Sequence, residues 1–185
     1  MTSRVEICNR ALDKLGSAPI VSLQDNVKSA RACARMFDGV RDAELREHYW
    51  NFAVVRKSLP ALEEVPVYGF ARQYQLPGDC LKVIEVYPPG DWKVEGRRVL
   101  TDLPAPLRIS FVQRAADASE FDALFVEALA ARLAVELCET LTQSNTKKRM
   151  ALDDYAQAIR RARRIDAIEG TPDALEETSW IKARF

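Results

Sequence analysis

The sequence predicts a mainly α protein: a four-helix bundle with a small antiparallel β-sheet inserted between its second and third helices, followed by an extended C-terminal tail. Three observations carry this expectation. Apolar residues recur at helical spacing near both ends of the chain. Between residues 50 and 115 that period is lost, and seven of the nine prolines fall there. After Gly170 a polar stretch leads into SWIKARF, a terminus richer in large apolar side chains than chain ends usually are. The expected parts are a first helical pair over 1–50, the β insert over 51–116, a second helical pair over 117–169 and a docking tail over 170–185.

The first helix opens on Ser3-Arg4-Val5-Glu6, a capping box in which the Ser3 hydroxyl accepts from an exposed amide and Glu6 reaches back. Val5, Cys8, Leu12 and Leu15 then form one stripe, which Gly16 ends and Pro19 keeps ended. The linker IVSLQDN closes on Asn26, a candidate N-cap for a second helix running to about Tyr49. Ala30, Cys33, Phe37 and Val40 mark the inner face of that helix. Gly39 within it costs roughly 1 kcal/mol against Ala, so a close packing contact is expected there.

The insert reads as short strands bounded by prolines. LKVIEVY (81–87), residues 92–95, residues 98–101 and LRISFVQ (107–113) are rich in β-branched and aromatic residues. Glu95-Gly96-Arg97 is a tight-turn candidate, because Gly accepts positive φ. Residues 52–55 and 71–75 are further extended candidates. One sheet of three or four strands is expected.

Helix returns at Ser119, where Ser119-x-x-Asp122 resembles a capping box. From 121 to 142 apolar residues cover more than one face, which marks a central helix with several neighbours. Ser144-Asn145-Thr146 breaks it, and a fourth helix runs to about Ile168 before Gly170 and Pro172.

Composition narrows the function classes. The chain has 185 residues, 48% hydrophobic and 29% charged, as in a globular domain. Its 27 basic and 27 acidic residues leave no net charge, so whole-chain electrostatics gives no case for a nucleic-acid binder. No apolar run approaches the roughly 20 residues of a membrane span, the N-terminus MTSRVEICNR has no secretory h-region, and no membrane partner is expected. Cys8, Cys33, Cys80 and Cys138 are scattered without a C-x-x-C pair and read as reduced core residues of a cytosol-made protein.

Catalytic and metal signals are sparse. His48 is the only histidine, and beside Tyr49 and Trp50 it reads as structural. No nucleophile elbow, P-loop, dinucleotide fingerprint or zincin motif occurs. The doublets Glu63-Glu64, Asp153-Asp154 and Glu176-Glu177 would point about 100° apart on a helix and make poor carboxylate pairs. Neither a cofactor nor an enzymatic activity is expected.

Two features invite a partner. Arg160, Arg161, Arg163 and Arg164 share one arc of the fourth helix, opposite Leu152, Tyr155, Ile159, Ala162 and Ile165. Residues 145–168 hold seven basic and three acidic side chains, whereas 119–144 hold five acidic and one basic. That asymmetry suits a solvated helix face, an internal hairpin, a contact between subunits or a nucleic-acid surface. The second feature is the tail, with Trp180, Ile181, Lys182, Arg184 and Phe185. Burying its Trp and Phe is worth roughly 1.5–3 kcal/mol each, either against its own bundle or against another chain, where aromatics and Arg are frequent anchors.

The ordered pattern resembles the head–tail connector (adaptor) proteins of tailed phages, of the tail tubular protein A type, and their prophage relatives. Three stretches carry the resemblance: NRALDKLGSAPIVSLQD from Asn9; YWNFAV from Tyr49, with YQLPGDCLKVIEV and WKVEGRRVLTD after it; and FVEALAARLAVEL with QSNTKKRMALDDYAQAIRRARRIDAIEG. Such proteins are helical bundles interrupted by a small β insert. The resemblance implies a non-enzymatic virion protein, made in the host cytoplasm and placed at the head–tail junction. It implies a homo-oligomeric ring, typically of twelve subunits, that sits beneath the portal protein, bridges it to tail proteins and lines the DNA channel with non-specific phosphate contacts. A free monomer fits the same picture, because such subunits assemble on the portal. It also implies that the C-terminal segment reaches onto the portal or a neighbour. The chain is shorter than the classical tail tubular proteins, which leaves its tail partner open. The alternative is a small nucleic-acid-binding regulator that uses the arginine-rich helix.

Overall fold

The computed structural model describes residues 2–169. Helix α1 spans Arg4–Leu15. Its N-terminus is the expected capping box: Ser3 Oγ accepts from the Glu6 N–H at 3.1 Å. The Arg10 guanidinium, with the Ser3 backbone N–H, holds the Glu6 carboxyl below the ordinary carboxylate range. Gly16 ends the helix at φ 66°, and the N–H groups of Gly16 and Ser17 bond the Asp13 and Leu12 carbonyls. That is a Schellman end, and its left-handed residue is the one that glycine suits. Asn9 then pins the linker, since its side-chain amide donates to the Ile20 carbonyl and accepts from the Ile20 N–H.

Helix α2 spans Lys28–Glu47 and is capped by Val27 rather than Asn26, whose side chain accepts instead from Arg31. It stops two residues before Tyr49. Among the described residues the contact expected at Gly39 is absent: the residue is exposed, and a Cβ there would meet none of their atoms within 4 Å. Residues Asn51–Ala53 form a 3₁₀ turn rather than extended chain, because Asp166 holds the Asn51 backbone and side chain.

Six strands follow: β1 (Val54–Leu59), β2 (Arg72–Gln75), β3 (Cys80–Tyr87), β4 (Trp92–Glu95), β5 (Arg98–Thr101) and β6 (Leu107–Gln113). They make two antiparallel three-stranded sheets, ordered β1-β6-β3 and β2-β5-β4. The first pairs Val54 with Val112 through Leu59 with Leu107. The hairpin β4–β5 turns on Gly96 and Arg97, with Gly96 at φ 58°.

The expectation of a four-helix bundle with one small sheet is corrected by these two sheets: strand makes up 20% of the described residues against 48% helix. The physical reason lies in β3 and β6. Val83, Val86, Ile109 and Phe111 belong to a core shared with Leu59, Tyr74, Leu76 and Val99. Leu81, Ile84 and Val112 belong instead to the helical core. A sheet apolar on both faces needs cover on both. The helices cover one face, so the second sheet covers the other.

Helix α3 (Ala123–Thr142) is central, with ten buried residues. Its N-cap is Asp122, which accepts from the Leu124 and Phe125 N–H groups, and not Ser119, which lies in a preceding 3₁₀ turn. Helices α1, α2 and α4 (Asn145–Asp166) each pack on α3 and meet one another only at their margins. Ser144 caps α4, and Gln143 takes the left-handed conformation that breaks the chain before it. Lys147 donates to the Leu15 carbonyl at 2.7 Å, placing a cation on the C-terminal end of α1.

Candidate functional site

Helix α4 presents its arginines unevenly. Arg160, Arg161 and Arg164 are exposed, and among the described residues none of the three has an ion-pair partner. Arg160 Nε donates to the Ala156 carbonyl of its own helix at 2.8 Å. Arg163 is set apart: it pairs with Glu47 of α2 at 3.0 Å. The apolar arc opposite them is narrower than expected. Ile159 and Ala162 are buried, but Leu152 and Ile165 are 46% and 36% exposed, because α3 is the main cover of this helix and α1 and α2 touch it only at its margins. The opposite charges of α3 and α4 meet in an internal hairpin, with Lys148 on Glu139 at 2.9 Å. The tail residues Trp180, Ile181, Lys182, Arg184 and Phe185 lie outside the described residues.

Beneath this surface α2, α3 and α4 are joined by a polar cluster around the buried Glu44. Glu44 is 1% exposed, and its Oε1 accepts from the Tyr155 hydroxyl at 2.6 Å. Arg132 stands 3.8 Å from the same oxygen and 5.3 Å over the Tyr155 ring, while Glu44 Oε2 has no hydrogen-bond partner among the described residues. Burial pushes the Glu44 carboxyl up, and burial together with the Glu44 hydrogen bond pushes the Tyr155 hydroxyl up to about 12. His48 is a clasp beside this cluster. Its Nε2 lies 3.0 Å from Asp166 Oδ2, and its ring meets Trp50 edge-on at 4.7 Å.

The sheet β1-β6-β3 supplies a second surface. Its helix-side face is packed near Val54 and Val112 but open further along, where Arg56, Ser110 and Glu85 stand in one row and Ser58, Arg108 and Tyr87 in the next. These rows line a groove of about 550 Å³. Arg56, Lys57 and Arg108 have no ion-pair partner among the described residues, and Arg108 lies 5.8 Å over the Tyr87 ring. Glu85 is the one carboxylate in the lining. Cations, hydroxyls and an aromatic ring grouped in this way bind anionic groups and apolar side chains; the only histidine is engaged by Asp166 and does not line the groove. Sequence reading missed this groove because its residues come from strands about fifty positions apart. The available signal was the polar alternation of β6, in which Arg108 and Ser110 share one face.

Among the described residues no cluster of His, Cys, Asp or Glu is arranged to hold a metal ion, and no helix is long and apolar enough to cross a membrane. All four cysteines are buried and free. No protein-family model matches the chain, and no curated protein matches it.

Proposed function

We propose that the protein is a structural head–tail connector of a tailed phage or prophage. It forms a ring beneath the portal, bridges the portal to the tail and lines the DNA channel, without enzymatic activity. One observation carries this reading: Arg160, Arg161 and Arg164 face solvent without an ion-pair partner among the described residues, at the end of the helix from which 170–185 continues. Cations left unpaired within a subunit suit a neighbouring subunit or the phosphates of DNA in a channel. Contacts of the second kind weaken with salt and read no bases. The ordered resemblance across 9–25, 49–54, 74–86, 92–102 and 121–170 supports the same reading. Its residues hold structural places: Asn9 ties α1 to the linker, and Trp50 is buried against Phe125 at 4.9 Å.

Mixing the protein with its portal ring and imaging the product, with and without residues 171–185, tests the proposal. The expected result is a ring on the portal that truncation abolishes. Unchanged binding removes the docking role of Trp180 and Phe185, and no ring from the full chain overturns the connector reading. The same exposed arginines favour one rival, a nucleic-acid-binding regulator. That rival requires salt-dependent DNA binding by the isolated subunit, abolished when Arg160, Arg161, Arg163 and Arg164 become Glu.

A further inference from the structure

We infer that one copy of this chain docks on the next through the β body, the loop between β1 and β2 of one copy seating in the β1-β6-β3 groove of its neighbour. The inference rests on the ring reading above and names an interface for it.

The loop has the chemistry of a docking element. Val65, Val67 and Tyr68 are 66%, 98% and 87% exposed, in one run with Pro66 and behind Glu63 and Glu64. Contiguous exposed apolar side chains mark interaction sites, whereas scattered ones do not. The loop is also held in place. The Gln73 amide donates to the Glu64 carbonyl at 2.8 Å, Arg98 pairs with the Glu64 carboxylate at 2.9 Å, and the Ala71 N–H donates to Asp102 Oδ1 at 2.7 Å. A loop anchored at both ends has less ordering entropy to lose on binding than a free segment.

The groove complements it. Two cations on its face, Arg56 and Arg108, without ion-pair partners among the described residues, and one carboxylate border it, whereas the loop brings two carboxylates, of which Glu63 has no ion-pair partner among those residues. Tyr87, 58% exposed, offers an apolar face beside Arg108. Groove and loop also lie on opposite sides of the stacked sheets. The groove is on the face of β1-β6-β3 turned away from the second sheet. The loop lies over the outer face of β2-β5-β4, beside Gln73, Lys93 and Leu100. A contact between opposite sides is heterologous, so each copy offers one groove and one loop, and repetition closes a ring or extends a row.

Site-specific cross-linking of the full chain tests this. Ser58 in the groove and Val67 in the loop are both exposed, and the native cysteines are buried. Ser58→Cys and Val67→Cys proteins, mixed and oxidised in solution and on the portal ring, are expected to give a mixed dimer. Either variant alone gives none, and the doubly substituted chain gives a ladder. Arg108→Glu or Glu63→Arg is expected to cut the yield about tenfold, as loss of an interfacial charge pair does, and the two changes placed on facing copies restore it. Circular dichroism of each variant matching the parent keeps the comparison to folded protein. Rings on the portal without the mixed dimer overturn this interface and leave the connector reading standing; absence of both rings and dimer overturns both. Self-linking by a single variant overturns the head-to-tail geometry. Oligonucleotide binding lost on Arg108→Glu, without cross-linking, gives the groove to nucleic acid and overturns the inference.

Discussion

Glu44 shows how much one side chain can decide. It is buried among three helices, with Tyr155 on one carboxylate oxygen and, among the described residues, no hydrogen-bond partner on the other. Burial raises its pKa above the ordinary 4.5, outweighing the Tyr155 hydrogen bond, which lowers it. The folded state therefore binds this proton more tightly than the unfolded chain does. The stabilising contribution of the protonated form is complete below the unfolded value and is lost as pH rises through the folded one. Glu44→Gln keeps an acceptor for Tyr155 and removes the charge. The difference in unfolding free energy between variant and parent should grow in the variant's favour as pH rises from about 4.5. Urea melts across pH 4–8 measure it; a difference independent of pH would show that Glu44 does not titrate this way. The sequence offered no hint of this cluster, because Glu44, Arg132 and Tyr155 come together only when the helices pack.

At the scale of the element, caps and turns follow local chemistry closely. Ser3, Gly16, Gly96 and Ser144 all occupy the positions their types favour. Errors arose where several residues competed for one role. Asp122 outdid Ser119 because its carboxylate reaches two free N–H groups of the helix start. Gly39 invited a packing explanation, yet α2 has open space there. It is therefore an unoffset helix glycine, and Gly39→Ala should raise stability by about 0.5–1 kcal/mol, read as a higher urea midpoint at unchanged slope. A loss of stability would reveal a contact at this position.

In the whole molecule the sheet β1-β6-β3 is the wall common to two cores. The helical and β bodies should therefore unfold together. Phe111→Ala removes a ring that is 1% exposed in the β core and should cost about 3–5 kcal/mol. Hydrogen exchange should report that loss at the α3 amides as well as in the strands. Weakened protection confined to the strands would mean two independent units.

By itself the sequence determined the order of the four helices around the β region, most strand limits and the central place of α3. Those depend on periodicity and turn chemistry, which act over a few residues. Tertiary structure alone decided that there are two sheets, that Arg163 is held by Glu47 while its neighbours stay exposed, and that Arg56, Arg108 and Tyr87 share a groove. Each depends on which surfaces remain uncovered once distant segments meet, and local spacing does not encode that.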